Sequence, residues 1–271
     1  MIQVSKILSF DRAELRPYQT MRRQLEHREQ GIFVAEGAKV VRRLLESQFG
    51  VVSVLLPEKW LQELQALLQE RAEEIQVFVA EKKLLETLTG FSMYQGLLAV
   101  GQVPRQPALS ELLQASHRPY LLAAIDGASS GENVGTVVRN CAAFRVQALI
   151  TGETCASPFL RRAVRSSMGT IFELPVFESP GLGQTLKELQ SHGIRCVAAH
   201  PHIQGSILPN ADLLGDCCIV FGSEGSGISP QVLEVCDEAI AVPMPPKVDS
   251  LNVGSASAVF LYEVSRQRGF K

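Results

Sequence analysis

Residues 217–221, Cys-Cys-Ile-Val-Phe, are apolar at every position, and three glycines (Gly222, Gly225, Gly227) follow within six residues. A strand with one wet face alternates apolar and polar residues. One that never alternates must be covered on both faces, which is the condition of a strand inside a parallel sheet between layers of helix. The surrounding chain has the alternation this requires. Apolar or β-branched runs at 120–126, 148–151, 173–177, 195–199, 217–221 and 239–242 predict strands. Stretches with apolar residues at helical spacing at 134–144, 158–167, 183–192, 230–236 and 253–267 predict helices between and after them. The expectation is an α/β fold with a parallel sheet.

The first part of the chain has the same grammar on a smaller scale. Strands are expected at 31–37, 51–56, 76–80 and 96–103, with helices at 38–48, 57–71 and 81–87. Leu61, Leu64, Leu67 and Leu68 share one helix face and read as core. The segment from Pro104 to Pro107 reads as a linker, followed by a short helix at 110–116. At 271 residues and 46% hydrophobic, the chain has room for one large domain or two modest ones. The expected division is a basic arm over 1–29, a small α/β domain over 30–105 and a larger one over 118–271.

The net charge of −2 hides an asymmetry. Residues 1–45 hold nine Lys/Arg against five Asp/Glu, or +4, which leaves −6 for the rest. A second basic cluster, Arg161, Arg162 and Arg165, lies mid-chain. Clustered arginine suits a phosphate backbone, and equally suits a solvated helix face. No run approaches the roughly 20 apolar residues of a membrane-spanning helix. The N-terminus lacks the apolar core of a secretory signal. None of the six cysteines forms a CxxC pair. They read as small buried hydrophobes in a reducing, cytoplasmic setting. His200 and His202 have no Cys or carboxylate at metal spacing beside them, so no metal site is expected.

Three segments carry polar groups where α/β proteins bind ligands. The first, Asp126 to Asn140, opens a helix after a strand with Gly127, Ser129, Ser130 and Gly131, and holds Asn133 and Arg139. The second, Gly222 to Ile228, sets Glu224 among glycines. It lacks the six-residue glycine fingerprint of dinucleotide sites and the Lys-Ser/Thr of phosphate loops, and Glu224 would repel a phosphate. A hydroxyl, amine or sulfonium suits it better. The third, Ala241 to Val259, begins with Pro243, Pro245 and Pro246. It passes Ser250 and Asn252, either of which can cap a helix, and continues in small residues that let another backbone approach closely. Read singly, each is equally an ordinary turn or cap. An oxidoreductase has no glycine fingerprint to rest on, and an esterase no Gly-x-Ser-x-Gly elbow.

In series the segments resemble the SpoU (TrmH-type) family of RNA 2′-O-ribose methyltransferases, of the SPOUT class. The marks are Asn133, Gly135 and Arg139; Gly222, Glu224, Gly225 and Gly227; and Pro243, Met244, Ser250, Leu251, Asn252 and Val253. Arg165 to Thr170 is similar to the family's serine-glycine segment. Phe33 to Gly37 and Gln95 to Ala99 resemble its N-terminal substrate-binding domain. Pro245-Pro246 and Gly254-Ser255-Ala256 depart from the usual residues without removing a polar group. The resemblance implies a trefoil-knotted, parallel-sheet methyltransferase domain behind a smaller RNA-binding domain, and a homodimer. It implies S-adenosylmethionine as methyl donor, held by Ala199, Gly222, Val242, Met244 and Leu251. It implies Asn133, Arg139, Glu224, Ser250 and Asn252 as the catalytic set, with Arg139 positioning a phosphate and hydroxyl and Glu224 anchoring the Arg or a hydroxyl. The RNA expected is ribosomal rather than transfer RNA, and a knotted RNA binder without catalysis is the alternative.

Overall fold

The computed structural model describes residues 2–89, 96–201 and 206–270. In chain order its elements are β1 (Ile2–Lys6), α1 (Arg16–Gln19), α2 (Gln24–Glu29), β2 (Ile32–Glu36), α3 (Ala38–Glu46), β3 (Val51–Leu56), α4 (Glu58–Glu70), β4 (Ile75–Val79), α5 (Lys82–Thr89), β5 (Leu98–Gln102), α6 (Leu109–Ala115), β6 (Leu121–Ile125), α7 (Gly131–Ala143), β7 (Ala148–Thr151), α8 (Arg161–Ser166), β8 (Val176–Glu178), α9 (Leu182–Ser191), β9 (Arg195–Ala199), β10 (Cys217–Phe221), α10 (Pro230–Leu233), β11 (Glu238–Ile240) and α11 (Val253–Gln267). They form two compact units. One is Met1–Arg105 with Phe159–Phe172, and the other is Gln106–Pro158 with Glu173–Lys271.

The first unit holds a five-stranded sheet in the order β1-β4-β3-β5-β2. β1, β4 and β3 run parallel, and β5 is antiparallel to both β3 and β2. Phe33 pairs with Gly101 across β2 and β5, and a Cβ on Gly101 would lie 2.4 Å from the Phe33 ring. The glycine therefore leaves the space the ring fills. Phe33 also stacks on Phe172 with centroids 5.6 Å apart, and Phe49 and Phe159 complete the aromatic cluster.

One expectation is corrected here. Residues 1–29 are not a separate basic arm. Ile2–Lys6 extends the sheet along β4, in register with Ile75–Val79, and Leu15 and Tyr18 are fully buried. Tyr18 Oη meets Ser53 Oγ at 2.8 Å. The arginines between these anchors face solvent, so charge density masked a stretch held by apolar burial. In the mid-chain basic cluster, which the sequence left open, two of the three arginines pair with one carboxylate. Glu36, 8% exposed, accepts from Arg161 and, at 2.9 Å, from Arg165. The short α8 thereby packs with the first unit rather than with the strands that flank it in sequence.

The second unit is a six-stranded sheet, ordered β11-β9-β10-β6-β7-β8 and parallel throughout. β10 sits at its centre and is buried at all five positions, as its unbroken apolar run requires. Leu109, Leu112 and Leu113 of α6, Leu182, Leu186 and Leu189 of α9, and Val232 of α10 cover one face. On the other, Phe221 meets Phe260 of α11 edge to face at 6.0 Å. Cys196 and Cys218 stand opposite each other in this core, and burial pushes the Cys196 thiol up to about 12. Ile125, Phe221 and Ala199 are level across the sheet, with Ile240 beside Ala199. Four strands thus end on one line, and the loops that leave them share one crevice. No helix among the described residues is long and apolar enough to cross a membrane.

Candidate active site

The crevice holds a cavity of about 470 Å³ at the carboxyl ends of β9, β10 and β11. That lies within the range of small-molecule sites, roughly 300–1,000 Å³. Its walls come from three segments: Ala199 to Pro201, Phe221 to Gly227, and the chain from Val242 through Leu251 to Phe260.

The glycine-rich loop after β10 folds on itself. Ser223 N donates to Gly227 O at 2.9 Å and Gly227 N to Ser223 O at 3.1 Å, closing a tight ring. Gly222 must lack a side chain because a Cβ there would stand 2.2 Å from Gly227 C and 2.3 Å from Ile228 N. Gly227 turns with φ +68°. The far end of the loop is fixed by Asp126, whose carboxylate accepts from Ser229 N at 2.7 Å. The loop's shape therefore follows from two glycines and one buried aspartate on the neighbouring strand end.

Asn252 joins the other two segments. Its Oδ1 accepts from Gly254 N at 2.8 Å and so caps α11. Its Nδ2 donates to Asn133 Oδ1 at 3.2 Å and to Glu224 Oε1. One side chain thus starts the last helix and ties it to the first turn of α7 and to the glycine loop. The helices cross closely behind it. A Cβ on Gly254 would lie 2.6 Å from Thr136 Cγ2. Asn140 Nδ2 donates to Gly254 O at 2.6 Å and to the buried Ser257 Oγ at 2.9 Å.

Of the residues expected to hold the donor, Ala199, Gly222, Val242, Met244 and Leu251 all line the cavity. Of the expected catalytic set, Glu224 and Ser250 line it, while Asn133 and Asn252 are joined to Glu224 from one side. Arg139 is separate. It is exposed on α7 and has no hydrogen-bond or ion-pair partner among the described residues. Six residues after Asn133, it points about 120° around the helix from it. Glu224 is hydrogen-bonded to the Asn252 amide. Sequence reasoning missed Phe221, Asp249, Val253, Ala256 and Phe260 in the wall. Val253, Ala256 and Phe260 recur at helical spacing after Asn252, a signal that was available. His200 lines the cavity, His202 and Gln95 lie outside the described residues, and no metal-binding group of His, Cys, Asp and Glu occurs among the described ones.

The sequence profile of the SpoU rRNA methylase family matches residues 120–262. The chain belongs to that family. It is an RNA methyltransferase. An uncharacterized tRNA/rRNA methyltransferase of Mycobacterium tuberculosis is 31% identical over 239 residues, covering 87% of this chain and 81% of the relative. The 23S rRNA (guanosine-2′-O-)-methyltransferase RlmB of Yersinia pestis is 31% identical over 212 residues, covering 77% and 85%. Among solved structures, the SpoU methyltransferase AviRb of Streptomyces viridochromogenes in complex with AdoMet superposes with a TM-score of 0.82 at 24% identity, over 95% of this chain and 98% of that one. At that identity the likeness is one of fold, and it extends over nearly the whole chain.

Proposed function

We propose that this chain transfers the methyl group of S-adenosylmethionine to a ribose 2′-hydroxyl of ribosomal RNA. The observation that carries the reading is the cavity wall. It pairs an apolar side (Phe221, Val242, Met244, Leu251, Val253, Phe260) with two carboxylates, Glu224 and Asp249, and contains no Lys or Arg among the described residues. Such a wall suits a flat base and a cationic group, and repels phosphates. The residues present therefore fit this donor, which supplies an electrophilic methyl on a positively charged sulfur. Ribosomal RNA is favoured because RlmB relatives act on 23S rRNA.

A ribose hydroxyl is a weak nucleophile, so the protein's first contribution is to hold it in line with the methyl. Arg139 is exposed and unpaired among the described residues, which leaves its fork free for an RNA phosphate beside the reacting ribose. Its guanidinium stays protonated and is no base. Asn133 and Ser250 orient the ribose, and Asn252 keeps Asn133 and Glu224 in register. The exposed Arg12, Arg22, Arg23 and Arg28 of the first unit supply further phosphate contacts. The exposed Val259, Tyr262 and Phe270, with Phe144 against Tyr262, form an apolar patch along α11 and past the ends of α7 and α11 that suits a homodimer seam. The trefoil knot belongs to the same reading. β10 is inserted between β6 and β9, and after β11 the chain returns to lay α11 on α7.

The test is tritium transfer from labelled donor to total RNA, followed by mapping of 2′-O-methyl positions. Wild-type protein is expected to label 23S rRNA, and Arg139→Ala to bind donor normally while labelling nothing. Near-normal transfer by Arg139→Ala removes that residue from the chemistry. Labelling confined to tRNA overturns the ribosomal assignment, and no labelling favours a non-catalytic RNA binder.

A further inference from the structure

The two carboxylates in the cavity wall are not equivalent. Glu224 is held by the amide of Asn252, which orients it without neutralising it. Asp249 is exposed to the cavity and has no hydrogen-bond or ion-pair partner among the described residues. Its backbone is nonetheless constrained. It follows Pro243, Pro245 and Pro246 and a turn closed by Val248 N donating to Pro245 O at 2.9 Å. The charge is thus carried on a stiff loop, in a wall that contains no Lys or Arg among the described residues.

Asp249 lines a cavity of about 470 Å³, and charges act over ~8–10 Å through physiological salt. A cation bound beside Asp249 therefore feels its charge. The methyl donor and its demethylated product, S-adenosylhomocysteine, have nearly the same shape. They differ in one charge, because the electron pair of the broken sulfur–methyl bond stays on sulfur and cancels the sulfonium. Shape alone cannot separate them, whereas an unpaired carboxylate can.

Resting on the donor reading of this cavity, we infer that Asp249 is a specificity residue that makes the pocket prefer the cationic donor over the neutral product, and so favours replacement of product by donor at equilibrium. The experiment is calorimetric titration of wild type, Asp249→Asn and Asp249→Glu with three ligands. These are S-adenosylmethionine, S-adenosylhomocysteine, and sinefungin, whose protonated amine replaces the sulfonium. Removing one carboxylate at these separations, in a setting between surface and bulk water, is expected to weaken both cations by about 3- to 10-fold and leave the neutral product within about twofold. Asp249→Glu is expected to keep the wild-type preference. Equal weakening of all three ligands, or an unchanged preference in Asp249→Asn, overturns the inference while leaving the donor site intact. Failure of the wild-type protein to bind any of the three overturns the donor reading itself.

Discussion

Gly222, Gly225 and Gly227 sit within six residues, and the structure predicts three different outcomes when each is replaced by alanine. At Gly222 the new Cβ would stand 2.2 Å from a backbone carbon of Gly227, where ordinary contact begins at 3.4 Å. The loop must therefore move by about 1.2 Å against the paired Ser223–Gly227 hydrogen bonds and the Asp126–Ser229 anchor. Overpacking of this kind costs about 1–3 kcal/mol, and a 1 Å displacement of a binding wall can cost ~100-fold in activity. At Gly227 there is open space but φ is +68°, so alanine pays only the left-handed penalty of about 1–2 kcal/mol. At Gly225 nothing lies within 4 Å and the backbone is ordinary, so stability is expected to change by no more than about 0.5 kcal/mol. The assay is chemical denaturation together with donor titration for all three variants. A Gly222→Ala protein with wild-type stability and donor affinity would refute the reasoning. A loss of donor affinity in Gly225→Ala without loss of stability would mean that the ligand itself approaches that backbone.

Asn252→Asp separates capping from connection. Aspartate caps as well as asparagine, so α11 keeps its oxygen for Gly254 N, but it has no amide for Asn133 and sets a second carboxylate against Glu224. Stability near wild type with methyl transfer reduced about 10- to 100-fold is expected, from the worth of a hydrogen bond to a charged group; unimpaired single-turnover transfer would argue against the connection. Glu36→Gln strips two arginines of their carboxylate. Because Arg165 is half exposed, the cost is expected near the lower end of the ~3–5 kcal/mol for a broken buried pair. Faster tryptic cleavage after Arg161, Arg162 or Arg165 would report it, and an unchanged digestion rate would contradict it. By the same packing, deleting residues 1–105 leaves Phe159 and Phe172 without Phe33 and Phe49, so that truncation tests more than RNA binding.

What could be read from the chain was what local pattern controls. β7, β9 and β10 fall on the runs that predict them, because a strand with its interior buried on both faces shows an unbroken apolar stretch there, with Arg195 and Thr151 only at strand ends. β8 was expected over 173–177 and is found at Val176–Glu178. Pro175 has no N–H to enter the ladder, and residues 170–172 are a 3-10 turn instead. β1 is an edge strand of five residues, too short for its alternation to stand out against the charge around it.

The site divides along a similar line. Each glycine, cap and proline signalled a turn, but the bond that makes the site one object runs from Asn252 to Asn133, 119 residues away. No periodicity encodes a contact at that separation. Only the resemblance, in which the three motifs occur together, brought these segments to one site, and it did not foretell this bond. Asn140 marks the boundary of that approach. It stands next to Arg139 at the end of the first segment, and the sequence analysis gave it no role. In the structure it grips Gly254 O and Ser257 Oγ, directly behind the cap that Asn252 provides. The exposed arginine and the half-buried asparagine beside it thus differ: one has no hydrogen-bond or ion-pair partner among the described residues, the other fixes the helix that lines the cavity. Adjacent polar residues in a motif need not share a function, and burial with a named partner is what separates them.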